Sequence, residues 1–232
     1  MRKKRLLTFA VMLLAGLQLC FAQKFEPTRT WPYLYRDFQN GLIITNTEDE
    51  QISAAVNITL GGRVHYINEK DQKVMEADIL RVASVRIADD VYANVGGRMM
   101  RLIAVGDDGI VACETALNAD ELNKSDIGYG ISSATASTMN VNSLASAGST
   151  FVDMPLNSIM AERDAGEKLP VKQTNYFRVG INVIPATKAA VMNCGLVDKD
   201  TAKAFFKSNK IKWNDPKSLR DVVNFLSEQI NK

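Results

Sequence analysis

The stretch Ile52-Ser-Ala-Ala-Val-Asn-Ile-Thr-Leu60, followed by Gly61-Gly62-Arg63, decides how the chain is read. Ile52, Ala54, Val56, Ile58 and Leu60 alternate with Ser53, Ala55, Asn57 and Thr59, so the first set falls on one face of an extended backbone and the second on the other. The glycine pair supplies the turn, and Arg63 to Asn68 reads as the returning strand of a hairpin. The same logic extends outward to Gly41–Asn46, Val82–Ala88, Val91–Val95, Gly97–Val105 and Gly109–Thr115, separated by the turn residues Asp89-Asp90, Gly96-Gly97 and Asp107-Asp108-Gly109. A second Gly-Gly-Arg turn, Gly96-Gly97-Arg98, repeats the chemistry of the first. Closely spaced strands need closure or a second layer, which predicts an antiparallel β-barrel or sandwich-like domain over residues 41–116.

The C-terminal portion, 166–232, reads as a small α+β domain ending in an amphipathic helix, so the fold class is α+β. Thr174–Val179 and Ile181–Ile184 form a hairpin turning at Gly180. Pro185 opens a helix to Asn193, with Gly195 beyond it, and a second helix spans Lys199–Ser208 after the cap Asp198. Asp215 and Pro216 start the last helix, where Leu219, Val222, Val223, Leu226 and Ile230 recur at helical spacing. Between the two portions, residues 117–165 form a Ser/Thr-rich linker or loop with a short helix at 155–163. From Ile127 to Val152 it holds no charged residue. Such a strip is either a linker or a hydrogen-bonding contact for a partner or a sheet edge.

The chain has 232 residues, 46% apolar and 23% charged, with 28 basic and 26 acidic side chains, which excludes disordered, collagen-like and polytopic membrane classes. Arg2, Lys3, Lys4 and Arg5 precede the apolar run Leu6–Leu19, and residues 1–22 read as a secretory signal peptide. Cleavage after Ala22 removes those four positive charges and no negative ones, leaving 24 basic against 26 acidic residues and a net charge of −2. No later segment has the roughly 18–20 apolar residues of a membrane helix, so no transmembrane segment is expected after cleavage. Broad electrostatic binding to nucleic acid is not expected either.

Catalytic signatures are missing. His65 is the one histidine. Val64 and Tyr66 share a face, which places His65 with Arg63 on the opposite one as a partly solvated strand residue. There is no Gly-x-Ser-x-Gly elbow and no phosphate-binding loop, and Asp89-Asp90 and Asp107-Asp108 sit where turns are expected. Neither a metal nor a cofactor is implied. Cys113 and Cys194 are read as two separate packed thiols, with a disulfide between them as the alternative open to an exported chain.

Residues 23–40 form an aromatic N-terminal arm. Trp31, Tyr33 and Tyr35 combine apolar area with a polar edge and, with Phe38, either stack on sugar rings or insert into a protein groove, or anchor the arm as a cover over the β-domain.

The arm Trp31-Pro-Tyr-Leu-Tyr35, the start of the uncharged strip Gly128-Tyr-Gly-Ile-Ser-Ser-Ala-Thr135, and the tail Phe205-Phe-Lys-Ser-Asn-Lys-Ile-Lys-Trp213 resemble a set of uncharacterised exported proteins of the Bacteroidota. The resemblance covers most of the chain after residue 22. It implies a periplasmic or outer-membrane-associated protein and supplies no active-site residues. Asp200-Thr201-Ala202 is similar to the O-glycosylation acceptor pattern of exported proteins in that phylum, with Thr201 as acceptor. The expected function is a noncatalytic cell-envelope accessory or binding protein, a subunit of an envelope or outer-membrane protein complex. The alternative is an exported carbohydrate-binding protein or glycoside hydrolase with a glycan as ligand.

Overall fold

The computed structural model describes residues 33–47, 50–118 and 171–230. Residues 1–22, which the sequence reads as a signal peptide, Trp31, the uncharged strip and the helix expected at 155–163 lie outside the described residues. Ten strands form one antiparallel sheet: β1 (Gln39–Thr45), β2 (Gln51–Ile58), β3 (Val64–Ile67), β4 (Val74–Glu76), β5 (Val82–Ile87), β6 (Asp90–Val95), β7 (Arg98–Val105), β8 (Gly109–Leu117), β9 (Val171–Val179) and β10 (Asn182–Pro185). Three helices follow, α1 (Lys188–Asn193), α2 (Lys199–Ser208) and α3 (Pro216–Ile230). The spatial order is β10-β9-β8-β7-β6-β5-β1-β2-β3-β4. Each strand therefore pairs with its sequence neighbour except at β4 and β5, where the chain returns to lay β5 along β1.

The alternation in β2 puts Val56 and Ile58 on an inner face. There they pack with Ile43, Leu60, Val64, Val85, Ile87 and Tyr92 into a first core. The sheet curls around this core until the two Gly-Gly-Arg turns meet: Met99 N donates to Gly62 O at 2.9 Å, and Arg98 Nε to Gly61 O at 3.3 Å. Gly62 has φ +77, and a β-carbon there would sit 3.0 Å from Arg98 Cβ, so only glycine fits the close approach without strain. No strands pair across this junction. The expected closed barrel or two-sheet sandwich is thus corrected to one open sheet. Its edges are blunted by brevity: β4 has three residues, and β10 has four and ends in Pro185, which has no N–H to offer a further strand.

The helices lie on the same inner face over the C-terminal strands. Val111, Phe177, Val179 and Ile184 meet Val191, Ala202, Phe206, Leu219, Val222, Val223 and Leu226 in a second core. Each of these side chains other than Ala202 stabilises the fold by roughly 1.5–3 kcal/mol on burial. The caps act as expected: Asp198 Oδ2 accepts from Thr201 N at 2.9 Å, and Asp215 Oδ2 from Ser218 N at 2.9 Å. These backbone donors hold both carboxyls below their ordinary range. α1 starts at Lys188 with Thr187 as its cap, not at Pro185, because Pro185 stays paired with Tyr176 in β10. α3 seats closely on the sheet, since a β-carbon on Gly109 would lie 2.8 Å from both Val223 Cγ2 and Arg178 O. β8 and β9 pair from Gly109↔Val179 to Leu117↔Val171, so the sheet continues from residues 41–116 into 166–232.

Candidate functional site

The arm and the single histidine come together. Tyr33 bridges Thr59, and Leu34 N donates to Ile58 O at 2.7 Å, which lays the arm beside the end of β2. Asn57, Thr59 and His65 fall on the outer face by strand alternation, and Tyr33 lies over that face. Its hydroxyl donates to His65 Nδ1 at 2.9 Å, and His65 Nε2 donates to Glu76 Oε2 at 3.2 Å. This tautomer follows from the ionised carboxylate, which can only accept. Arg63 Nη1 stands 3.6 Å from Glu76 Oε1. Phe38 packs edge-on against the Tyr33 ring at 5.0 Å, over Ile67 and Val74. The face assigned to His65 is therefore right, but the solvation expected there is corrected. The arm covers that face, leaving His65 at 0% and Tyr33 at 3% exposure.

A Tyr-His-Glu series has the order of a proton relay, yet a substrate cannot reach a tyrosine and a histidine so buried. The chain of bonds instead fixes the arm to β3 and β4. Burial holds the imidazole below its ordinary 6.5; Glu76 opposes that effect and Arg63 adds to it. The folded state therefore favours neutral His65. The unfolded chain binds the extra proton as pH falls below about 6.5, and stability is lost in that direction. Wild-type protein should show a falling urea midpoint from pH 7 toward pH 5. His65→Gln should lack that component, since the chain has no other histidine. A His65→Gln profile as steep as wild type would contradict this assignment.

A second polar group joins the arm to the inner face. The Tyr35 hydroxyl donates to Asp90 Oδ2 at 2.8 Å and lies 2.8 Å from the Tyr92 hydroxyl, which then donates to it. Arg101 Nη1 is 3.7 Å from Asp90 Oδ1. Register places Tyr92, Arg101, Cys113 and Asn175 in one row across β6 to β9. Burial pushes the Tyr35 and Tyr92 phenols and the Cys113 thiol up, so all three stay protonated at neutral pH. This group couples the arm to the middle of the sheet.

The other residues singled out from sequence are dispersed. Tyr33 and Tyr35 are used in the packing just described, and Phe38 is half-buried against Tyr33. Cys113 and Cys194 are both free, the first buried and the second half-buried with its thiol donating to Val191 O at 3.1 Å, so the disulfide alternative is not formed. Thr201 is exposed in the first turn of α2, its hydroxyl donating to Asp198 Oδ2 at 3.2 Å. Among the described residues no three His, Cys, Asp or Glu side chains converge. Likewise, no described helix is long and apolar enough to cross a membrane.

Sequence reasoning missed the outer face of β7 to β10, opposite the helices. Register aligns Val105, Ile110, Arg178 and Val183 in one row across four strands. Val105 is 41% and Val183 40% exposed, and Ile181, at the β9–β10 turn on the same end of the sheet, is 97% exposed. Alternation in each strand carries the signal, but only the strand order shows that the apolar members line up. Comparison of the chain with protein-family models, with curated proteins and with solved structures finds no match.

Proposed function

We propose that the protein is a noncatalytic accessory or binding subunit of a bacterial envelope assembly, exported and held in the periplasm or peripherally at the outer membrane. The observation that carries the binding role is the group of exposed apolar side chains Val105, Val183 and Ile181 at one end of the outer face of β7 to β10, with Arg178 between the two valines in the row. Exposed apolar side chains grouped at one end of a sheet favour a protein contact over bulk solvent. The N-terminal pattern and the resemblance to exported Bacteroidota proteins support the location. Sugar stacking on the arm draws no support from Tyr33 and Tyr35, whose rings are used in packing.

Crosslinking in intact envelopes, followed by purification of the protein, tests the proposal. In Val183→Glu the new carboxylate faces Arg178 across the β9–β10 pair, so stability should change by about 1 kcal/mol or less. Recovery of the crosslinked protein partner should fall about tenfold or more if this row is the contact. Unchanged recovery from the variant would remove the row from the interface. Recovery that depends on added oligosaccharide would favour the carbohydrate-binding alternative.

A further inference from the structure

The junction of α2 and α3 is a corner of unbalanced positive charge. From Phe205 to Arg220 the chain carries Lys207, Lys210, Lys212, Lys217 and Arg220 against Asp215 alone. All five basic residues are exposed, and Asp215 is engaged as the cap of α3. Among the described residues none of the four lysines has a carboxylate oxygen within 4 Å, although Lys212 acts electrostatically on Asp215, whereas Lys203 on α2 pairs with Asp200 at 2.9 Å. The chain after residue 22 has more acidic than basic residues, so positive charge is gathered here against the overall balance.

Lys210 adds an independent observation. Asn209 caps α2, its N–H donating to Phe205 O at 3.0 Å, and Ile211 N donates to Phe206 O at 3.3 Å. Lys210, between them, has φ +48, the left-handed position where helices usually place glycine. Of the three described non-glycine residues with positive φ, Gln72, Ala88 and Lys210, Lys210 is the charged one, and it is exposed within the basic cluster. The connection is also firmly seated, because the Trp213 ring packs 5.3 Å from Phe206 and 6.4 Å from Phe177.

We propose that Lys207, Lys210, Lys212 and Lys217 dock the protein on a surface of anionic phospholipid headgroups. The four come from a helix end, a connection and a first helical turn, an array that matches many laterally mobile headgroups better than one enclosed ligand. Lysines act as point charges on flexible stems, whereas recognition of a single phosphoryl group favours the planar fork of arginine. Each lysine near such a surface strengthens binding about fivefold. The inference is independent of the subunit reading above, whose test is loss of a protein partner.

Co-sedimentation of the full chain with vesicles tests it. Phosphatidylcholine vesicles containing about one-third phosphatidylglycerol should bind the protein at about 0.1 M salt and release it at about 1 M, where the screening length falls to about 3 Å. Phosphatidylcholine alone controls for any contribution of the apolar run Leu6–Leu19, and the lysine variants, which keep Arg2, Lys3, Lys4 and Arg5, separate the proposed surface from those four charges. Lys207→Gln with Lys212→Gln should weaken binding about 25-fold. Lys210→Gly should weaken it about fivefold while raising the thermal midpoint, a combination that a purely structural lysine would not produce. The proposal is overturned by equal binding to both vesicle types, by full affinity in either variant, or by binding to soluble polyphosphate without binding to vesicles.

Discussion

Replacing Tyr33 by alanine is expected to lower the unfolding free energy by about 3–5 kcal/mol, the range for deleting a buried aromatic ring. The ring is almost wholly buried and packs on Phe38 and His65, over the small cluster formed with Ile67 and Val74. Its removal opens a cavity and also leaves His65 Nδ1 without its donor. Tyr33→Phe separates the two effects. It keeps the ring and loses only the hydrogen bond, for an expected loss of about 1–2 kcal/mol. Urea unfolding with an unchanged slope would report both losses as shifts of midpoint. If Tyr33→Ala stays within about 0.5 kcal/mol of wild type, the arm does not hold the fold together. Deleting residues 24–38 removes Tyr33, Leu34 and Tyr35 at once and should destabilise the protein further. Loss of a partner from that truncation would therefore reflect unfolding as much as a lost contact.

The position of His65 shows where sequence reasoning succeeds and where it stops. Alternation along β3 assigns the imidazole to the face opposite Val64 and Tyr66, and that assignment depends only on backbone period. Whether that face meets water depends on Tyr33, 32 residues earlier, and no local pattern records the contact. The Tyr35 hydroxyl likewise finds Asp90 and Tyr92 at separations of 55 and 57 residues. Most strands and the capped helices α2 and α3 are legible because their signals lie within a few residues: alternation, a glycine pair, or an aspartate before a proline. β4 is not legible, since three residues cannot display a period of two, and its existence follows from pairing with β3. The open sheet is not legible either. The need for a covered face and protected edges is met by the arm, the helices and short edge strands, where a closed barrel would have met it by pairing.

Phe177→Ala is the second large effect, with an expected loss of about 3–5 kcal/mol and a single unfolding transition. Phe177 is fully buried in the second core and sits opposite Val111 on β8 and Ile184 on β10, with Trp213 across from it. The residue at the other end of the same strand, Val171, packs against the first core. β9 is therefore a shared element: loosening it removes support from the helices and from the curled strands together. Independent domains over 41–116 and 166–232 would respond differently, with the helical part unfolding first and the β-part persisting. Tryptophan fluorescence in a Trp31→Phe background reports Trp213 alone, because the chain has two tryptophans. Far-ultraviolet circular dichroism reports the whole sheet. Coincident urea transitions by the two probes are expected for Phe177→Ala as for wild type. A fluorescence transition preceding the loss of sheet signal would mean that the β8–β9 pairing joins two units that fold separately. The continuous ladder from Gly109↔Val179 to Leu117↔Val171 argues against that outcome, since separating the units would expose the backbone groups of both strands at once.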